Sequence, residues 1–284
     1  MYDYSIAQWL FFFYFYCFFG WCFESAVVSL RKKKFVNRGF MKGPFLPLYG
    51  FGAIIMLVVS APYKENIVLV FISGLIGATI LEYITGVTME ALFKVRYWDY
   101  SDDPFNFQGQ ICLSSSLAWG GLTILMTEVV HKRVEHFGMM IPDNILTIVT
   151  LIITIWIAGD FTLAFKSALD LKNVLMKLEK AKEDIAVLQK RLDVVIAVAD
   201  DEIKSRREDR KKNIEEFKKE SEEKRKAFKE KLDMYKNNSN FLRHQASEKI
   251  NKLTRSNPSM RSRKFKEVFE EIKKHINDEK KLDL

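Results

Sequence analysis

An all-α polytopic membrane bundle of about five transmembrane helices, followed by a cytoplasmic coiled-coil and helical tail, is the fold class this sequence predicts. Apolar stretches fill most of residues 1–166. That part holds 12 Lys/Arg and 12 Asp/Glu, whereas residues 167–284 hold 32 and 24 and carry the whole net charge of +8. Heptads begin soon after the last apolar stretch ends. The chain therefore divides into a transmembrane domain at 1–166, a coiled coil and charged helix at 167–236, and a C-terminal helical segment at 237–284.

The apolar spans read as 4–30, 45–61, 67–93, 111–130 and 144–165. A spanning helix needs about 20 largely apolar residues, so the second is at the short limit and the first and third are long. No basic region precedes the first span and no small-residue cleavage site comes after it, so it reads as a retained helix rather than a signal peptide. Arg31, Lys32, Lys33, Lys34, Arg38 and Lys42 crowd the first loop. Basic loops favour the cytoplasm, which places 31–43, 94–110 and the tail inside and the N-terminus outside. Cys17, Cys22 and Cys112 have no disulfide or metal spacing and read as packing residues. His131 and His136 read as residues of a short outer loop.

Five acids interrupt the spans: Glu24, Glu82, Glu90, Glu128 and Asp160. A carboxylate at membrane depth costs about 2.5–3.5 kcal/mol even on the milder scales, so these residues are expected to turn inward and line a shared polar chamber. In the third span Gly74, Ala78, Glu82, Gly86 and Glu90 recur every four residues, which stacks them on one helix face. Small residues there let a neighbouring backbone approach. Gly20 with Glu24, and Ser116 and Gly120 with Glu128, repeat the arrangement.

Two loops carry further polar chemistry. Between Gly43 and Gly52 two prolines and three glycines interrupt the start of the second span, where Pro44 and Pro47 oppose a regular helix; such broken helices mark binding sites in transporters. The second loop, Tyr97-Trp98-Asp99-Tyr100-Ser101-Asp102-Asp103-Pro104-Phe105-Asn106, mixes interfacial aromatics with three aspartates. Ion pairs between it and Arg38 or Lys42 are expected. The candidate binding residues are Glu24, Glu82, Glu90, Arg38, Lys42, Tyr49, Trp98, Asp99 and Asn106; no catalytic residue, metal ligand or cofactor is assigned.

In the tail Leu171, Leu178, Ile185, Leu192 and Ala199 repeat every seven residues, with Val174, Ala181, Leu188 and Val195 three further on. This favours a coiled coil continuing the fifth span, with a homodimer as the simplest assembly and an intramolecular hairpin as the alternative. Residues 200–236 alternate in charge, which suits a solvated helix rather than a nucleic-acid surface. Asn237-Asn238-Ser239-Asn240 and Ser256-Asn257-Pro258 read as breaks. A last helix at 259–280 presents Phe265, Val268, Phe269, Ile272 and Ile276 on one face, to be covered by the tail's own helices or by another protein.

Several of these segments resemble the CmpB-like family of type IV ABC-transporter permeases, small bacterial membrane proteins. They are Arg38-Gly39-Phe40, Gly43 to Gly52, Tyr97 to Ser101, Pro104 to Asn106, Gly109 to Leu113, Ser116, Trp119-Gly120, and Asn257 to Ser262 with Phe265. The resemblance implies a transport subunit in the bacterial cytoplasmic membrane. The chain has no G-x-x-x-x-G-K-[ST] loop, so an ATPase would be a separate subunit. Two other functions fit the residues. One is an intramembrane enzyme for a lipid-linked or isoprenoid substrate, with Asp99, Asp102 and Asp103 holding Mg²⁺. The other is a membrane-anchored scaffold that recruits a partner through the last helix.

Overall fold

The computed structural model describes residues 2–205 and 211–282, so the part of the charged stretch at 206–210 lies outside the described residues. They are helical apart from loops and one two-stranded antiparallel hairpin, β1 Asn106–Phe107 and β2 Ile111–Cys112. Two compact units are formed: the chain up to Asp170 together with Asn251–Lys266, and Leu171–Ile250 together with the chain from Glu267 on. Among the described residues four helical stretches are long and apolar enough to cross a membrane: Ile6–Lys32, Ile67–Phe93, Leu113–Met139 and Asp143–Glu202.

In the first unit, α1 (Ile6–Lys32) starts at a capping box in which Ser5 and Gln8 bond each other's backbone amides. It stops where Lys33 turns left-handed, φ 51°. The chain then runs back beside α1. The Leu46 amide donates to the Cys17 carbonyl at 3.0 Å, and Cys17 lies 15 residues before Lys32, about 22 Å along the helix. Met41 and Phe45 bury against Tyr14 and Cys17, with Ile153 and Ile157 packed on them. This irregular segment is therefore covered by protein, the condition for non-helical backbone at membrane depth.

From there α2 (Pro47–Ser60) runs only 14 residues, about 21 Å, with a 3₁₀ turn at Ala61–Tyr63. It is shorter than the expected 45–61 because Pro47 must occupy its first turn. A Cβ on Gly20 would sit 2.3 Å from the Tyr49 side chain, so Tyr49 of α2 seats directly on the α1 backbone.

α3 (Ile67–Phe93) begins at Asn66, whose side chain caps the Val68 and Leu69 amides. Gly74, Ala78, Glu82 and Gly86 are buried, as the four-residue spacing predicts. A Cβ on Gly74 would approach Thr123 Oγ1 to 2.0 Å. Gly74→Val is expected to force α3 from its neighbour and cost about 1–3 kcal/mol, seen as a lower Tm of the detergent-solubilised protein. Gly121→Ala, which meets nothing within 4 Å, should leave Tm unchanged or slightly raised.

α4 (Leu113–Leu125), a π-helical turn (Met126–Val130) and α5 (His131–Met139) form one continuous helical run. The fourth span is thus longer than 111–130, and the expected outer loop at His131–His136 is helix. Its charged residues suggest a loop, but His131, Val134 and Gly138 form a buried face.

α6 (Asp143–Ser205) unites the fifth span and the heptads in one helix of 63 residues. In the second unit, Leu188 and Leu192 of α6 cluster with Leu232 of α7 (Lys211–Ser256), and Ile185, Ile196, Phe228 and Tyr235 pack around them. The heptad seam is thus filled by the same chain. No break occurs at Asn237–Asn240, because Leu232, Leu242, Ala246 and Ile250 continue a buried stripe through it. That packing outweighs propensity losses of at most about 0.7 kcal/mol per residue.

The last helix, α8 (Lys266–Leu282), starts later than 259. Its Val268, Phe269, Ile272 and Ile276 are buried. Glu271 takes ion pairs from Lys182 and Arg243, at 2.8 and 2.7 Å. The apolar face is accordingly covered by the tail's own helices.

Candidate functional site

Glu82 projects from α3 into the first unit and is 4% exposed. Its carboxylate accepts from Tyr100 Oη at 3.1 Å, Ser115 Oγ at 3.2 Å and Trp119 Nε1 at 3.1 Å. Among the described residues no cation lies within ion-pair distance of it. Three neutral donors satisfy its oxygens, as a buried acid requires.

Glu24, near the end of α1, accepts from Tyr49 Oη at 2.9 Å and faces Arg38 Nε at 3.6 Å. The Tyr49 ring lies 5.6 Å from that of Trp119. Hydroxyl, paired rings and indole thus connect Glu24 to Glu82.

Arg96 forms a separate cluster. Its side chain is 1% exposed, and the guanidinium bonds Glu90 at 2.8 Å and Asp99 at 3.1 Å. Gln110 Nε2 also donates to Glu90, at 2.5 Å. Gly109, at φ 67°, lies under this pair; a Cβ there would fall 2.6 Å from both Arg96 Nη1 and Asp99 Oδ1.

A strap from the far end of the chain closes over both loops. Arg96 and Arg261 exchange backbone hydrogen bonds at 2.8 and 3.2 Å. Arg261 also reaches Asp99 at 3.6 Å and Asp102 at 2.9 Å. Asn257 accepts from Arg38 Nη1 at 3.0 Å and donates to the Gly39 carbonyl at 3.0 Å. Ser262 Oγ donates to the Lys94 carbonyl, and Arg263 to that of Gln108. Residues 257–263 therefore tie the loop after α1 to the loop after α3.

Burial alone would push the Asp99 carboxyl up, but the Ser101 hydroxyl and amide and the Arg96 guanidinium hold it below the ordinary range. A carboxyl lowered on folding contributes stability above its unfolded value near 3.9, and that contribution is lost as pH falls through the folded value. The Arg96 and Arg261 amides should therefore resist hydrogen exchange at about pH 5 and lose that protection below about pH 4. Asp99→Asn should remove this acid step.

A family model described as "Putative ABC-transporter type IV", the CmpB type, matches residues 11–165. The chain belongs to this family. No curated protein matches it. No solved structure does either.

Of the residues expected to bind in this ABC-transporter type IV protein, Glu24, Arg38 and Tyr49 meet in one cluster and Glu90 and Asp99 in another, with Glu82 joined to the first through the rings. Among the described residues the other three make no bond to the side chains of these clusters. The Lys42 side chain is exposed. Trp98 donates to the Gln110 carbonyl at 2.9 Å, and Asn106 pins its own turn through Ser101, Asp103 and Gly109. Among the described residues the expected ion pairs from Arg38 and Lys42 to the aspartate loop do not form: Arg38 turns to Glu24, and Asp99 and Asp102 take Arg96 and Arg261.

The acids are also divided among several settings. Asp160 accepts from the Gly43 amide at 2.8 Å, and Glu128 pairs with exposed Lys132. Asp99 and Asp102 face arginines, and among the described residues no group of three or more His, Cys, Asp or Glu is placed to hold a metal. Sequence reasoning does not single out Arg96, Arg261 and Asn257 as site residues, although Asn257 and Arg261 sit in a motif that carries the family resemblance.

Proposed function

We propose that this chain is the membrane-embedded, permease-like subunit of a bacterial transport system, working with a separate ATPase. The supporting observation is Glu82, a buried carboxylate without a cation, held by Trp119, Ser115 and Tyr100 and joined through Tyr49 to Glu24. Glu24, Glu82, Tyr49 and Arg38 form the polar site in this reading. Glu90, Asp99 and Arg96, with Arg261, hold the loops over it. The charges at 31–42 favour a topology with those loops and the tail in the cytoplasm and the N-terminus outside the cytoplasmic membrane. So few helices make a small pathway, and in this reading a second copy completes it through a contact outside the seam that Leu188, Leu192 and Leu232 fill.

The test is to isolate the full chain from its host membrane with its associated proteins, reconstitute it in liposomes and measure ATP hydrolysis. Hydrolysis that co-purifies with the chain and falls at least tenfold in Glu82→Gln, with the complex still assembled, supports the reading. Absence of any associated ATPase, or full activity in Glu82→Gln, rejects it.

A further inference from the structure

We propose that His131 is a proton-binding site that latches α5 to α1 when neutral and loosens that latch when it takes up a proton. The transport reading does not use this residue, and the inference stands without it. His131 is 1% exposed. Its Nδ1 lies 2.9 Å from Tyr16 Oη and its Nε2 3.0 Å from Tyr4 Oη. Tyr4 Oη in turn donates to Glu135 Oε1. The rings of Phe12 and Tyr2 close over the imidazole edge-on, at 5.0 and 5.4 Å.

These contacts fix the protons. Tyr4 has a single hydroxyl proton and gives it to a carboxylate, so its oxygen can only accept from His131. Nε2 therefore carries the imidazole hydrogen. Nδ1 is then a lone pair, and Tyr16 donates to it. Every proton points one way: Tyr16 to His131, His131 to Tyr4, Tyr4 to Glu135. The opposite direction would leave the buried Tyr16 hydroxyl, whose hydrogen-bond partner is His131, with no acceptor.

The π-helical turn Met126–Val130 ends directly before His131. One extra residue in a turn rotates the next part of the helix by about 100°, so this turn sets the direction in which the ring points. Such turns recur at functional positions in helices.

A proton taken from water converts the imidazole to imidazolium, with both nitrogens donating. The Nδ1 bond to Tyr16 must invert, and the Tyr16 hydroxyl, 6% exposed in the residue as a whole, loses its acceptor. The α1–α5 contact then weakens. The charged and titratable groups around the ring are Tyr2 and Tyr4 from the N-terminal segment, Tyr16 from α1 and Glu135 from α5. Lys64 sits 3.9 Å from the Tyr2 ring centre, and Lys132, Arg133 and His136 lie on the outer side of α5. Of these, Glu135 favours the imidazolium and Lys64 opposes it.

The test is nitrogen NMR of the full chain with ¹⁵N-labelled histidine in lipid nanodiscs. It has four histidines, and His131→Gln assigns the signal. The expected result is the Nε2–H form at neutral pH and a doubly protonated ring in acid. Glu135→Gln should move that step to lower pH and Lys64→Met to higher pH, while amide exchange in α5 quickens across the same step. An Nδ1–H ring at neutral pH, a ring that never takes the second proton, or a midpoint unmoved by both variants overturns the proposal.

Discussion

Glu82→Ala is expected to lower the stability of the membrane unit by at least ~2 kcal/mol, at about 1 kcal/mol or more for each donor left without an acceptor. The three are the hydroxyls of Tyr100 and Ser115 and the indole N–H of Trp119. Ser115 also has the Cys112 carbonyl at 3.0 Å as a second acceptor, so most of the loss falls on Tyr100 and Trp119. Glu82→Gln separates stability from charge. Its amide oxygen can keep Trp119 and Ser115, and the Tyr100 hydroxyl can turn to accept from the amide nitrogen. Unfolding of the detergent-solubilised protein should therefore show a large drop in Tm for alanine and a small one for glutamine. A drop of equal size in both would mean that the charge, rather than the hydrogen bonds, holds this part of the fold.

The burial of Glu82 is legible in the sequence because two independent patterns converge on it: a costly acid in an apolar span and a run of small residues every four positions. Both arise from local chemistry. The strap was not legible in the same way. Pro258 announces that a helix must stop, but nothing local says that the next residues will pair with Lys94 and Arg96, more than 160 positions earlier. The heptads of α6 show a similar limit, since a knob position specifies that a hole is filled and not whose helix supplies it. The filling helix is α7, whose own apolar stripe passes through Asn237–Asn240 and overrides a stretch that composition reads as a break. His131 is hidden for the opposite reason. Its neighbours Lys132, Arg133, Glu135 and His136 are the polar side of a helix, and average hydropathy conceals the buried side carrying His131, Val134 and Gly138.

Arg96→Met should be the most damaging change in the loops, because it keeps the side-chain stem and deletes the charge that two carboxylates share. Removing one partner from a buried ion pair typically costs about 3–5 kcal/mol. Here Glu90 and Asp99 would face each other, Glu90 retaining Gln110 and Asp99 retaining Ser101 and the more distant Arg261. The backbone pairing of Arg96 with Arg261 survives the substitution, so the strap should remain docked at neutral pH but exchange its amides faster. Arg96→Lys should not restore stability, since a single ammonium cannot fork to two carboxylates as a guanidinium does. Neutralising the acids as well, in Arg96→Met with Glu90→Gln and Asp99→Asn, should recover much of the loss, because the penalty belongs to the stranded charges. A non-additive cycle of these variants, with coupling above about 1 kcal/mol, is the expected result. Additive losses, or an Arg96→Met protein within ~1 kcal/mol of the parent, would show that the cluster is decoration on a fold held by the strap backbone alone.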